Sequence, residues 1–458
     1  MNPTLCILLT ATTIASLSYN VDATTNITSI FVGKDIARDI SYALTNMARD
    51  LSVHLQSNTS KTNIISPLSI GSSLLILLRT ARGTTRLELL NLLHLNRYQR
   101  NDPKIPRNFG RLIRELLSDV QENTVLDDTP PWLGESKCGA IDYEYEDEDE
   151  DPYEVPPQDP NVVRLANAIF VQNGMLNNSR LEKVIKNLYQ STIENLNFFE
   201  APDNATKHIN NWANVSTNGR IPEIISHQLG RDTTMVVANA LYFKAFWEEV
   251  FIDGATKPKK FFPDGENGES IEVQMMSNSG CFPYYFSQSL DAQIMGFPYK
   301  NRTTTMYVVL PKNSNRTKLQ QLMAVLDAPT MDELISNMSM RSASVLFPKM
   351  HVSNSFDLKS ALQALGVEAM FTRGRSDFSS LNPSAKQDSR NLRVSGVLHK
   401  VDLEVNEAGT EGGAVTVSLQ DRIAPAVNFR VISPFLVAIR HDATKLLLFY
   451  GPIYDPTG

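Results

Sequence analysis

Seven histidines, His54, His94, His208, His227, His351, His399 and His441, are the side chains best suited to act as general bases or metal ligands in this chain. Their positions argue against both roles. They are scattered, and none stands at metal-ligand spacing from another, as an H-E-x-x-H helix would require. A nucleophilic hydrolase would show a G-x-S-x-G elbow, and a nucleotide-binding enzyme a P-loop; neither occurs. The expectation is a protein that is not an enzyme and holds no metal.

Charge is the second kind of chemistry on offer. Arg107, Arg111 and Arg114 lie at spacings of four and three in "PRNFGRLIRELLSDV", which puts them on one face of an amphipathic helix. That face is either solvated in the ordinary way or built to bind anions. One basic face is too little for a nucleic-acid protein. Between Asp142 and Asp151, eight of ten residues are acidic, and without them the formal charge of −7 becomes about +1. Like charges with nothing to bury do not pack, so an unstructured insertion is expected over about 124–160. Tyr143, Tyr145 and Tyr153 stand among these carboxylates as candidates for sulfation.

A third stretch, "EAGTEGGAVTV" from Glu407 to Val417, is unusual for its small side chains. Six of the eight residues from Ala408 to Val415 are Ala, Gly or Val. It is too rich in glycine for a helix, although "LEVN" before it reads as a strand.

The elements around these features are α+β in character. Residues 35–55 repeat with a helical period, and in "NIISPLSIGSSLLILLRT" a short apolar strand ends at Ser66–Pro67 before a buried helix near Ser69. "RLANAIFVQ" reads as a strand, "NATKHINNWANVSTNGRI" as a helix ending at Gly219, and "TTMVVANALYFKAFW" as a long buried strand. "TTTMYVVLP", "SASVLFPKMHV", "NFRVISPFLVAIRH" and "KLLLFYGPIY" add further strands, with helices concentrated in the first half and no internal repeat.

The chain of 458 residues opens with "MNPTLCILLTATTIASLS", an apolar run of signal-peptide length with cleavage expected after Ser18 or as late as Ala23. A short extension over 19–34 would then precede the main domain, 35–458. Eight N-x-S/T triplets, at Asn26, Asn58, Asn177, Asn204, Asn214, Asn301, Asn315 and Asn337, fit a secreted, glycosylated product. No other run is long enough for a transmembrane helix, so no membrane is expected and the protein should act outside the cell, as a monomer. Cys6 leaves with the leader; Cys138 and Cys281 either pair or stay free.

Several segments together, in order from about Ala37 to Pro456, resemble the serpin family. "NIISPLSI" with "RTARGTT" is similar to its helix-B entry, and "RLANAIFVQ", "INNWANVSTNGRI", "VVANALYFKAFW" and "ISPFLVAIRHDATKLLLFYGPI" to its strand, helix and C-terminal blocks. "EAGTEGGAVT" resembles the hinge of its reactive-centre loop, here about 407–428. The resemblance implies three β-sheets with eight or nine helices. It also implies inhibition of a serine protease by insertion of the cleaved loop into a sheet. Residue by residue, Ser66, Ser69, Asn239 and His399 match a buried polar cluster beneath the strands that part. Trp247 matches the tryptophan near the point of first insertion, Glu407 the acid that opens the hinge, and Thr410 the first inward-facing loop position.

An inserting strand alternates faces, so Thr410, Gly412 and Ala414 would point into the core, while Glu411 would point out. Small residues there avoid desolvation and overpacking costs of several kcal/mol. The family prefers alanine where Gly412 and Gly413 stand, and each glycine costs about 0.5–1 kcal/mol in a strand. The spacing from Glu407 to Pro434 implies cleavage after Ile423, before Ala424; some members cut one place earlier, which here is after Arg422. Arg422 would suit a trypsin-like protease, and Ile423 an elastase-like one. The helix bearing Arg107, Arg111 and Arg114 matches one that binds glycosaminoglycans in some members, which makes a sulfated polysaccharide a candidate activator. The alternative within the family is a non-inhibitory carrier or storage protein.

Overall fold

The computed structural model describes residues 23–56, 59–98, 104–117, 126, 128–136, 138, 162–252, 254–300, 302–384, 392–410 and 425–457. One sheet has six strands in the order β2-β1-β3-β11-β10-β9. They are β1 (Val162–Gln172), β2 (Thr192–Leu196), β3 (Met235–Phe246), β9 (Met350–Asp357), β10 (Gly396–Val405) and β11 (Gly409–Thr410). The other strands are β4 (Lys257–Phe261), β5 (Ile271–Ser287), β6 (Ala292–Pro298), β7 (Thr304–Pro311), β8 (Ser339–Pro348), β12 (Val427–Arg430), β13 (Phe435–His441) and β14 (Leu446–Ile453). They make one eight-stranded sheet in the order β12-β8-β5-β6-β7-β13-β14, with β4 paired to β5 off this path. The long β5 joins its two parts: its first fourteen residues pair with β4 and β8, its last four with β6.

Nine α-helices surround the sheets among the described residues: α1 (Ala23–His54), α2 (Pro67–Thr80), α3 (Gly83–Leu92), α4 (Lys104–Leu117), α5 (Ser179–Tyr189), α6 (Pro202–Ser216), α7 (Arg316–Val325), α8 (Ala328–Ser336) and α9 (Lys359–Ala364). The fold is the α+β arrangement that the resemblance implied, with hydrogen bonding joining the strands into two continuous sheets where three were expected, because β5 is long enough to serve both parts of the larger one.

Local chemistry explains the two elements that matter most for function. α2 starts where Ser66 caps it, its side chain accepting from the Ser69 amide, and Pro67 at the first position needs no amide partner. Every residue of α2 except Arg79 is buried, and it packs against α1, β1, β3 and β14. Gly71 permits the approach of α1: a Cβ there would lie 2.3 Å from Leu44 Cδ2. β10, "GVLHKVDLEV", buries every second side chain, so His399 faces the core with Val397, Val401, Leu403 and Val405.

Several sequence expectations need correction. "SASVLFPKMHV" is not one strand: the chain leaves β8 at Pro348 and enters a different sheet as β9 at Met350. "NFRVISPFLVAIRH" also splits, into β12 and β13 of one sheet on either side of the segment ending at Pro434, since proline cannot donate to a ladder. The strand expected before Pro67 is only two isolated bridges, Thr62 to Ile453 and Ile65 to Tyr450. α1 begins at Ala23 and runs unbroken past the boundary expected at 34/35.

The insertion expected over about 124–160 is packed at its start. Trp132 is fully buried in a 3₁₀ turn, Pro131–Gly134, with the Arg302 guanidinium 5.6 Å from its ring centre. Glu135 accepts a hydrogen bond from the Met340 amide at 2.8 Å, and Cys138 is disulfide-bonded to Cys281. A large aromatic ring outweighed the surrounding polarity here. The acidic run itself, with Tyr143, Tyr145 and Tyr153, lies outside the described residues.

Candidate functional site

The site forms where β3 and β10 meet. These strands are parallel neighbours from Val236–Leu241 against Gly396–Val401. Beyond that register they separate, and β11 sits in the opening, pairing Gly409 with Phe246, Thr410 with Ala245, and Thr410 with Val405. Two residues near the start of the expected loop, Gly409 and Thr410, are thus strand residues between two strands that pair directly lower down.

The residues before β11 fix this entry. The Asn406 carboxamide accepts from the amides of Ala408 and Gly409 at 3.1 and 3.2 Å, the local turn that asparagine favours. Trp247 donates its backbone amide to the Ala408 carbonyl and its indole N–H to the Asn406 carbonyl, both at 2.9 Å. The indole stacks on Tyr299, with ring centres 4.5 Å apart. Glu407 accepts from the Thr256 hydroxyl at 2.6 Å and from the Lys349 ammonium at 2.9 Å. Burial alone would raise the pKa of Glu407; the bonds from Thr256 and Lys349 outweigh it and hold the carboxyl below its usual range.

Thr410 is 1% exposed, and its hydroxyl is 2.7 Å from that of Tyr299. Burial pushes the Tyr299 phenol far above its normal pKa, so it stays neutral as a hydrogen-bonding partner. Gly409 has a steric role. A Cβ there would stand 2.1 Å from the Ala245 carbonyl oxygen and 2.7 Å from Phe246 Cα, so only glycine fits against β3.

Lower in the same sheet a polar row crosses three strands: Asn167 on β1 pairs with Asn239 on β3, which pairs with His399 on β10. All three are buried. From α2, Ser69 donates to Asn167 Oδ1 at 2.6 Å, Ser73 donates to Asn239 Oδ1, and the Ser66 amide donates to His399 Nε2 at 2.9 Å. Burial lowers the His399 pKa to about 3, so the ring is neutral and Nε2 is free to accept.

The structure therefore brings Ser66, Ser69, Asn239 and His399 together on the row, and Trp247, Glu407, Gly409 and Thr410 at the entry. Sequence reasoning missed Asn167, Ser73 and Tyr299. The first had a signal: "ANA" occurs in both β1 and β3, and the two asparagines pair in register. Tyr299 had none, because it lies on a distant segment. Glu411, Gly412, Gly413, Ala414, Arg422, Ile423 and Ala424 lie outside the described residues; the chain is described again from Pro425, just before β12 pairs with β8. Arg107, Arg111 and Arg114 are exposed on α4. Of the sequons, Asn177, Asn204 and Asn337 are exposed and Asn214 and Asn315 half-buried, while Asn58, Asn301 and the Asn26 side chain are outside the described residues.

A family model described as Serpin (serine protease inhibitor) matches residues 42–456. The chain is 34% identical over 441 residues to Serine protease inhibitor 28Dc of Drosophila melanogaster, covering 91% of this chain and 79% of that protein. It is 30% identical over 431 residues to Serpin B3 of Homo sapiens, covering 91% and 99%. Among solved structures, human thyroxine-binding globulin complexed with thyroxine matches with a TM-score of 0.72 at 21% identity, over 92% of this chain and 100% of that one. That likeness concerns the fold alone.

Proposed function

This chain belongs to the serpin family, and we propose that it is a secreted suicide substrate that traps a trypsin-like serine protease as a covalent acyl complex. The observation that carries the reading is the seat of Gly409 and Thr410 between β3 and β10, with the strands zipped below and open above. A loop already started in the sheet needs only to be cut to continue.

The chemistry follows from the serine-protease cycle. The protease serine attacks the carbonyl of Arg422; the peptide bond breaks, the new amine leaves as Ile423, and Arg422 is held as an ester. Water would normally hydrolyse that ester. Insertion of 411 onward as a strand competes with hydrolysis and carries the protease along with the loop. Small residues at Gly412 and Ala414 support rapid passage, and the polar row beneath the strands supports a junction that separates at low cost. Cleavage after Ile423 would instead direct the inhibitor to an elastase-like enzyme. A carrier or storage role is the second family reading, but the hinge positions that would point inward, Thr410, Gly412 and Ala414, are neither bulky nor charged.

Secretion and glycosylation are supported by the apolar leader and the eight sequons. The run Asp142–Asp151 has the charge to engage a basic surface of the target protease, with Tyr143, Tyr145 and Tyr153 as sulfation candidates, and α4 carries the face for a sulfated polysaccharide. Incubation with trypsin and with elastase tests the core of the proposal. A complex that survives boiling in detergent, with a released C-terminal peptide beginning at Ile423, is expected with trypsin. Clean cleavage of the loop by both enzymes without a complex would overturn it.

A further inference from the structure

α2, α4 and α5 enclose a pocket of about 290 Å³ with two kinds of wall. Its floor is apolar, formed by Leu75 and Leu78 of α2, Ile105 of α4, and Val184 and Leu188 of α5. Its rim is cationic: Arg79, Arg86 and Arg107 line it. Through Arg79 and Val184 it continues into a shallower hollow of about 410 Å³ that adds Arg82 and Arg180. Five guanidinium groups from α2, α3, α4, α5 and the α2–α3 junction thus border one depression.

Among the described residues nothing acidic neutralises them. None of the five forms an ion pair with a carboxylate among the described residues. Arg82 and Arg86 each give one N–H to a backbone carbonyl, of Ala81 and Leu78. The nearby Asp377 carboxylate accepts from the Ser379 amide instead. Arg86 Nε is buried without a partner among the described residues. Burial, and then the like charges of Arg82 and Arg79, depress the pKa of Arg86, which marks the cluster as uncompensated positive charge.

Like charges at this range repel, and a half-buried setting screens them poorly. An anion placed among them would relieve the repulsion and take the free N–H groups in bidentate fashion. The floor imposes a second requirement, because leucine and valine side chains gain by covering an apolar body. The volume is at the small end for ligand pockets, about 300–1,000 Å³. We infer that this pocket binds a small amphipathic oxyanion, with an apolar body on the leucine floor and a carboxylate or sulfate head among Arg79, Arg86 and Arg107.

Calorimetric titration of the full-length protein tests the inference with decanoate and decyl sulfate as probes. Decanol supplies the body alone and inorganic sulfate the head alone. Both amphipathic anions are expected to saturate one site, with decanol and inorganic sulfate at least about tenfold weaker. The double variant Arg79→Gln/Arg86→Gln should lose about tenfold or more in affinity, while Arg341→Gln, an exposed arginine on β8 away from the pocket, should not change it. Val184→Phe keeps every charge and fills the floor; it should abolish decyl sulfate binding and serves if the double variant does not fold. Unchanged affinity in either pocket variant, an equal loss in Arg341→Gln, or inorganic sulfate binding as tightly as decyl sulfate would each overturn the inference.

Discussion

Thr410→Arg should convert the inhibitor into a substrate, and the size of the effect follows from the seat of Thr410. That side chain is 1% exposed and bonded to Tyr299, whose ring is stacked on Trp247. Its side-chain partner among the described residues is a phenol and not a carboxylate, so an arginine would be buried as an unpaired charge. In the uncut protein the cost is escaped if Gly409 and Thr410, the two described residues of β11, leave the gap. After the cut it cannot be avoided, because residue 410 must be seated before anything beyond it. If about 3 kcal/mol of that burial penalty falls on the insertion step, insertion slows by on the order of 10²-fold. Ester hydrolysis then wins. The assay is the stoichiometry of inhibition and the yield of detergent-stable complex with whichever protease the wild type traps. Thr410→Ser, which keeps the hydroxyl, is the control and should behave as wild type. A Thr410→Arg protein that forms complex at the wild-type rate and yield would refute the insertion account.

Three further outcomes follow from the same structure. Gly412→Ala with Gly413→Ala should favour insertion by about 1–2 kcal/mol in total, since each glycine costs about 0.5–1 kcal/mol in a strand, and should be read as a lower stoichiometry of inhibition. Asp332→Ala should cost about 3–5 kcal/mol of stability in denaturant unfolding, because it removes the 2.7 Å ion-pair partner of Arg440, which is 3% exposed, and leaves Lys445, paired with Asp332 at 2.6 Å, to Asp128 alone. Burial lowers His399 to about 3 and, with Arg440, His441 to about 4, so both rings are neutral in the fold and charged in the unfolded chain below about pH 6.5. Their contribution is therefore whole above that pH and is lost as pH falls. Asp442, raised to about 6 by burial, works in the opposite sense below pH 6. His399→Gln should remove up to about 1.4 kcal/mol per pH unit of the acid slope, measured as unfolding midpoints between pH 7.5 and 5.

Legibility in the sequence tracked how local each feature is. β10 could be read because its burial alternates with period two, and α2 because a proline and a capping serine mark its start. The hinge was legible from composition: Gly409 and Thr410 are small because a backbone and a phenol press on them. Strand exchange was not. "SASVLFPKMHV" looks continuous in hydropathy, and only the packing shows that two sheets divide it at Pro348–Met350. β5 was hidden because Gly280 and Pro283 interrupt its pattern, yet both sit in its ladder with β8. The Cys138–Cys281 bond and the burial of Trp132 were equally out of reach, since they join segments far apart in the chain and composition around them points to a loop.

The central claim is that the cut loop becomes a strand between β3 and β10, and hydrogen exchange tests it most directly. In the uncut protein, β3 from Tyr242 to Lys244 and β10 from Asp402 to Glu404 lie beyond their shared register and short of the β11 pairings. Cleavage at the loop should slow exchange of the amides that face this gap by about 10²-fold or more, as new ladder bonds form. Exchange at those positions that is the same before and after cleavage would contradict the account.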